Sequence, residues 1–211
     1  MNRQAPSADR LRRFADEHLL YEPGMLHALT VKLMNRHHRD DPVLENALLE
    51  SFGIHSRNLI DFLWLGRPMK DTDAIASDYV ADWKAPAMSE RLSGVKDRVG
   101  KEMVHLSYNR LDVERKGWQV LGIGPEITSA FGAFAIAVPA GRVPDGWHEA
   151  VWTAIGAVPP ERAQELEKYF ISAEDIKPED LVSAWRAITP KGQATQGLWG
   201  PAGGRLDHPG S

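Results

Sequence analysis

"DPVLENALLESFGIHSRNLIDFLWLGRP", Asp41 to Pro68, reads as one long helix with both ends marked. Asp41 offers a side-chain acceptor to the orphan N–H groups of a first turn. Pro42 stands at the first helical position, where a missing N–H is no loss. Leu48, Phe52, His55, Leu59 and Phe62 then follow at spacings of 4, 3, 4 and 3. That is one face of a helix, not the alternation of a strand. Gly66, with Pro68 close behind, ends the run. An apolar seam of this length needs other helices to lie against.

The rest of the chain supplies them. Upstream, "SADRLRRFADEHLLYEPGMLHALTVKLMNRH" (Ser7 to His37) is helical in pattern, with Ser7 or Asp9 as its N-cap. Pro23 and Gly24 predict a kink there, or two helices meeting. Downstream, "MKDTDAIASDYVADWKAPAM" (Met69 to Met88) predicts a long acidic loop with one short helix near Tyr79 and Trp83. A third helix starts near Ser89 and carries Leu92, Val95, Val99, Met103 and Leu106 at spacings of 3, 4, 4 and 3. "KGWQVLGIG" breaks from it, and Pro125 opens a fourth helix through Ile127, Phe131, Phe134 and Val138, stopped by Pro139.

Beyond Pro139 the composition turns acidic. Residues 140–190 hold nine acidic and five basic side chains, against nineteen and eighteen in residues 1–139. "GWHEAVWTAIG", "PERAQELEKYF" and "PEDLVSAWRAI" predict short helices, and the Gly- and Pro-rich residues 191–211 predict a disordered tail. The expected fold is all-α: an up-and-down helical bundle over residues 1–139, a smaller helical extension over 140–190, and the tail.

Composition narrows the function. A net charge of −4, with 43% hydrophobic and 26% charged residues, is that of an ordinary globular chain and argues against coating nucleic acid by bulk positive charge. A local basic groove stays open. With no cysteine, disulfides, thiolate metal sites and cysteine nucleophiles are excluded. No uninterrupted apolar run reaches about 18 residues, and the first residues lack a signal-peptide pattern. The expectation is a cytoplasmic protein without a membrane partner, cofactor or metal. His37 and His38 are adjacent and point about 100° apart on a helix. Asp71, Asp73 and Asp78 lack the glycine and closing glutamate of a calcium loop. "GIGPE" (Gly122 to Glu126) precedes a helix but lacks a P-loop lysine.

Two polar clusters interrupt the apolar helices. On the third, Arg98, Glu102, His105 and Asn109 lie at i, i+4, i+7 and i+11, a stripe beside the apolar one. Glu102 is placed to hold the His105 imidazole. On the second, His55 replaces an apolar residue in the seam, Asn58 lies nearby, and Arg57 and Asp61 can pair at i, i+4. If these helices pack together, the clusters can meet. Three readings are open: a solvated ion-pair stripe, a hydrogen-bond network fixing how two helices register, or an active site.

"RVGKEMVH" gives Arg98, six residues, then His105. A helical domain with this pair late in its third long helix resembles the HEPN superfamily (higher eukaryotes and prokaryotes nucleotide-binding) over roughly residues 10–138. The sequence also resembles a set of bacterial helical proteins of uncharacterised activity, through "HSRNLIDF" and "KEMVHLSY". HEPN membership implies a helical bundle that dimerises and binds RNA, in many members as a metal-independent endoribonuclease of toxin–antitoxin or defence systems. It implies Arg98 and His105 as catalytic residues, with Glu102, Asn109, His55, Arg57 and Asn58 orienting or bracing them. The rival expectation is a non-catalytic module that binds a protein partner and whose polar clusters are structural.

Overall fold

The computed structural model describes residues 3, 5–35, 40–104, 108 and 117–157. Among them the protein is all-α, with no strand. The helices are α1 (Ala8–Phe14), α2 (Tyr21–Asn35), α3 (Pro42–Trp64), α4 (Glu90–Ser93), α5 (Val95–Val99), α6 (Val120–Ala137) and α7 (Trp147–Ala154). Two π-helical turns, Ala15–Leu19 and Gly100–Val104, extend α1 and α5.

The helix starts follow the sequence signals. Ser7 accepts from Arg10 N, Asp41 accepts from Val43 N and Leu44 N at 3.1 and 3.0 Å, and Ser89 accepts from Leu92 N. Each side chain satisfies a donor that the first turn leaves orphaned. Glu126 on α6 then takes both the N–H and the hydroxyl of Ser89, at 2.9 and 2.6 Å, and so ties the start of α4 to α6.

α2 packs against α3 and α6; α5 lies on α3, and α7 closes against α2 and α6. Phe52, Leu59, Ile127, Phe131 and Val99 are sealed from solvent in this core. Phe134 is its hub, with the rings of Phe62, Tyr79, Trp83 and Phe131 all within 6 Å, the first three edge-on. Edge-to-face placement suits the ring quadrupoles and adds to area burial. By length and composition alone α6 could cross a membrane, which an unbroken-run criterion misses because Gly, Thr and Glu126 interrupt it. Here its Ile127–Phe131–Phe134 face forms the middle of the core.

The acidic loop is pinned rather than loose. Tyr79 donates to Leu11 O at 2.9 Å, and Trp83 to Leu63 O at 2.8 Å. Its short helix is a 3₁₀ turn at Ala76–Asp78. Arg3 grips the loop through the carbonyls of Asp71 and Asp73 and through both carboxylate oxygens of Asp78.

Four expectations are corrected. The first break falls at Leu20, so Pro23 sits in the first turn of α2, where its missing N–H is tolerated. Pro125 lies inside α6, which begins five residues earlier; the carbonyl it leaves without a helical partner belongs to Leu121, an exposed residue. The third helix is broken, with Gly94 between α4 and α5 and Gly100 opening the π turn. Glycine is the weakest ordinary helix former, at about 1 kcal/mol below alanine. Finally, no boundary lies at 139. α7 belongs to the core, with Trp147 2% exposed and its indole donating to Ala15 O at 3.1 Å. The first compact unit runs to Pro160. The extension and tail expected beyond 157 lie outside the described residues.

Candidate functional site

Arg98 is the last but one residue of α5, next to Val99, which is fully buried, so the arginine emerges at the edge of the core. Its guanidinium carbon lies over the Trp118 ring, 4.2 Å from the centroid. Nε and Nη2 donate to the two oxygens of Glu102 at 2.6 and 3.0 Å, and Nη1 reaches Gly117 O at 3.4 Å. The pair is partly desolvated, with side-chain exposures of 30% for Arg98 and 15% for Glu102. Stacking on an aromatic face plus a two-pronged carboxylate is the arrangement for which a planar guanidinium is suited and an ammonium is not.

The second cluster faces another way. His55 is buried, and its Nδ1 lies 2.7 Å from Glu22 Oε2 on α2. Asn58 Nδ2 donates to both Glu22 oxygens at 3.3 and 3.2 Å, and the Tyr21 ring meets His55 edge-on. Asp61, one turn further along α3, holds Lys96 of α5 at 2.6 Å and Arg57 at 3.9 Å. Its Oδ1 is shut off from solvent without a well-aligned hydrogen bond, so the Lys96 ammonium is its counter-charge. Glu22, Asn58 and Asp61 also line an open groove of ≈310 Å³, with Phe14, His18 and Asp73 on its other walls.

Among the described residues, Arg98 and Glu102 pair with each other and not with His55, Arg57 or Asn58. At Gly53 the α3 backbone comes close to Val99 and Met103. His55, two residues on, has turned about 200° around the helix and looks to α2 instead. Thus Glu22, His55 and Asn58 are brought together, Arg57 joins Asp61, and Arg98 joins Glu102. His105 and Asn109 lie outside the described residues. A π turn runs over Gly100–Val104. Its i→i+5 winding departs from the 3.6-residue register on which the Arg98–Glu102–His105–Asn109 stripe was counted.

Sequence reasoning missed Glu22, Lys96 and Trp118. Glu22 carried one signal, an acidic side chain beside the "EPG" break; Trp118 carried one too, as an aromatic in a polar connection. Among the described residues no group of His, Asp and Glu is arranged to hold a metal ion. No family model, curated protein or solved structure matches the chain.

Proposed function

We propose that the chain is a HEPN-like RNA-binding protein that contacts a phosphate through Arg98 and, with His105, cleaves RNA without a metal. One observation carries the reading: a partly exposed guanidinium that lies over Trp118 and holds an anionic carboxylate in a two-pronged fork. In the cleavage step the 2′-OH attacks the adjacent phosphorus while the bond to the 5′-oxygen breaks. An imidazole at His105 exchanges the protons, because it titrates near neutral pH. Arg98 stabilises the charge on the phosphorane oxygens. His105 enters through the family resemblance.

The test is incubation of purified protein with RNA in EDTA. Cleavage by the wild type and its loss in Arg98→Ala and His105→Ala are expected. Absent cleavage, or equal cleavage by His105→Ala, refutes the catalytic form, and unchanged RNA affinity in Arg98→Ala refutes binding.

A second reading, a non-catalytic protein-interaction module, draws on a different observation. Glu22, His55 and Asn58 hydrogen-bond one another across the α2–α3 contact, as a network that fixes helix register would. Val99 also fills, with a buried apolar side chain, the position after the arginine where nucleases of the resembled family carry a polar residue. Under this reading His55→Ala lowers stability by about 1–3 kcal/mol, through loss of the buried partner of the Glu22 carboxylate, and RNA affinity does not change.

A further inference from the structure

Arg98 does not stand ready for a phosphate. Glu102 engages the guanidinium through both carboxylate oxygens, at 2.6 and 3.0 Å. The Trp118 ring covers the guanidinium plane, and the Gly117 carbonyl takes a third donor. A carboxylate and a phosphate accept from the same pair of guanidinium N–H groups in the same parallel geometry. The two anions therefore compete for one fork and repel each other across it. An exposed i, i+4 ion pair would matter little. This pair is unlike that, since Glu102 is only 15% exposed and both its oxygens are engaged.

Glu102 also sits within a π-helical turn, third of the five residues Gly100–Val104. Such turns are uncommon and recur at functional sites. This turn opens at Gly100, where a Cβ would meet no atom of the described residues within 4 Å. The backbone that carries the carboxylate is thus not in the standard helical register.

We infer that Glu102 is a built-in competitor for the anion site of Arg98, occupying the place of a phosphate group until a ligand phosphate displaces it. The inference rests on the reading of Arg98 as a phosphate contact, and it deepens that reading by assigning how the site is held closed. Glu102 acts through Arg98 and is not itself a catalytic residue. The ligand class is a phosphate ester or pyrophosphate that can present two oxygens to the fork.

The experiment compares wild type, Glu102→Gln and Arg98→Ala/Glu102→Gln with two probes. Inorganic pyrophosphate is titrated while the Trp118 indole N–H resonance, assigned through Trp118→Phe, is followed. Glu102→Gln is expected to shift that resonance at about tenfold lower pyrophosphate than the wild type. The double variant is expected to show no shift. At high pyrophosphate the wild-type signal should itself shift and saturate, a readout that does not depend on Glu102→Gln folding.

A single-stranded RNA oligonucleotide is the second probe. Its affinity should rise in Glu102→Gln, with a salt dependence steeper by about 0.7, the increment for one more phosphate contact. If Glu102→Gln binds pyrophosphate no more tightly than wild type, or its gain survives Arg98→Ala, the competitor role is wrong. If pyrophosphate behaves as expected and RNA affinity does not change, the competitor role stands and the RNA reading fails.

Discussion

His27 shows how a single side chain sets a condition on the whole fold. It lies on α2 with its ring against Gly156, which follows α7 in the left-handed conformation at φ 64°. A Cβ at Gly156 would land on the imidazole. Burial lowers the His27 pKa below its ordinary 6.5, since a charged ring there gives up its hydration. Between the folded pKa and 6.5 the unfolded chain binds more protons, so stability rises with pH. Melting temperature is therefore expected to fall as pH drops below about 6.5, and His27→Gln is expected to flatten that slope. An equal slope in the variant would remove His27 from the effect. At this scale the sequence was partly readable. His55 stood out as a polar residue in an apolar seam, and its burial follows from that spacing. Its partner Glu22, 33 residues away, did not, because nothing local to either residue records which helices will touch.

Elements were the most readable scale, and their crossings the least. The α2–α6 crossing depends on Gly124, where a Cβ would run into the Thr30 hydroxyl. Thr30 is buried and already donates to Leu26 O at 2.7 Å, so it has little room to move. Alanine favours a helix over glycine by about 1 kcal/mol, but overpacking here works against it. Gly124→Ala is expected to lower stability by about 1–3 kcal/mol in urea unfolding. A stabilised variant would show that the crossing can relax. The stripes of α3 and α6 were legible because every turn repeats the signal. The ends of α2 and α6 were not, because a proline marks a helix start only when the helix begins at it. Pro125 shows that one unpartnered carbonyl is tolerated when the rest of the helix is deeply packed. The π turn beside Arg98 was invisible for a related reason. A wheel assumes uniform winding, and Gly100 is the only local hint that it fails.

At the scale of the molecule, one aromatic hub organises parts far apart in sequence, and the compact unit that contains it ends near Pro160. A chain of residues 1–160 is expected to unfold in one cooperative urea transition, and a broad, non-cooperative melt would contradict this. The acidic shift after residue 139 pointed to a boundary there, but charge does not report burial: Trp147 and Val151 place α7 in the core. The contact of the Trp147 indole with the Ala15 carbonyl spans 132 residues, and that of Tyr79 with Leu11 spans 68. A chain made from its N-terminus at about 5–20 residues per second needs on the order of ten seconds between Ala15 and Trp147. During that interval the first helix has left the ribosome but lacks its last fixed partner. Leu11 and Leu19, sealed in the finished fold, are then available to any chaperone that binds apolar nascent helices.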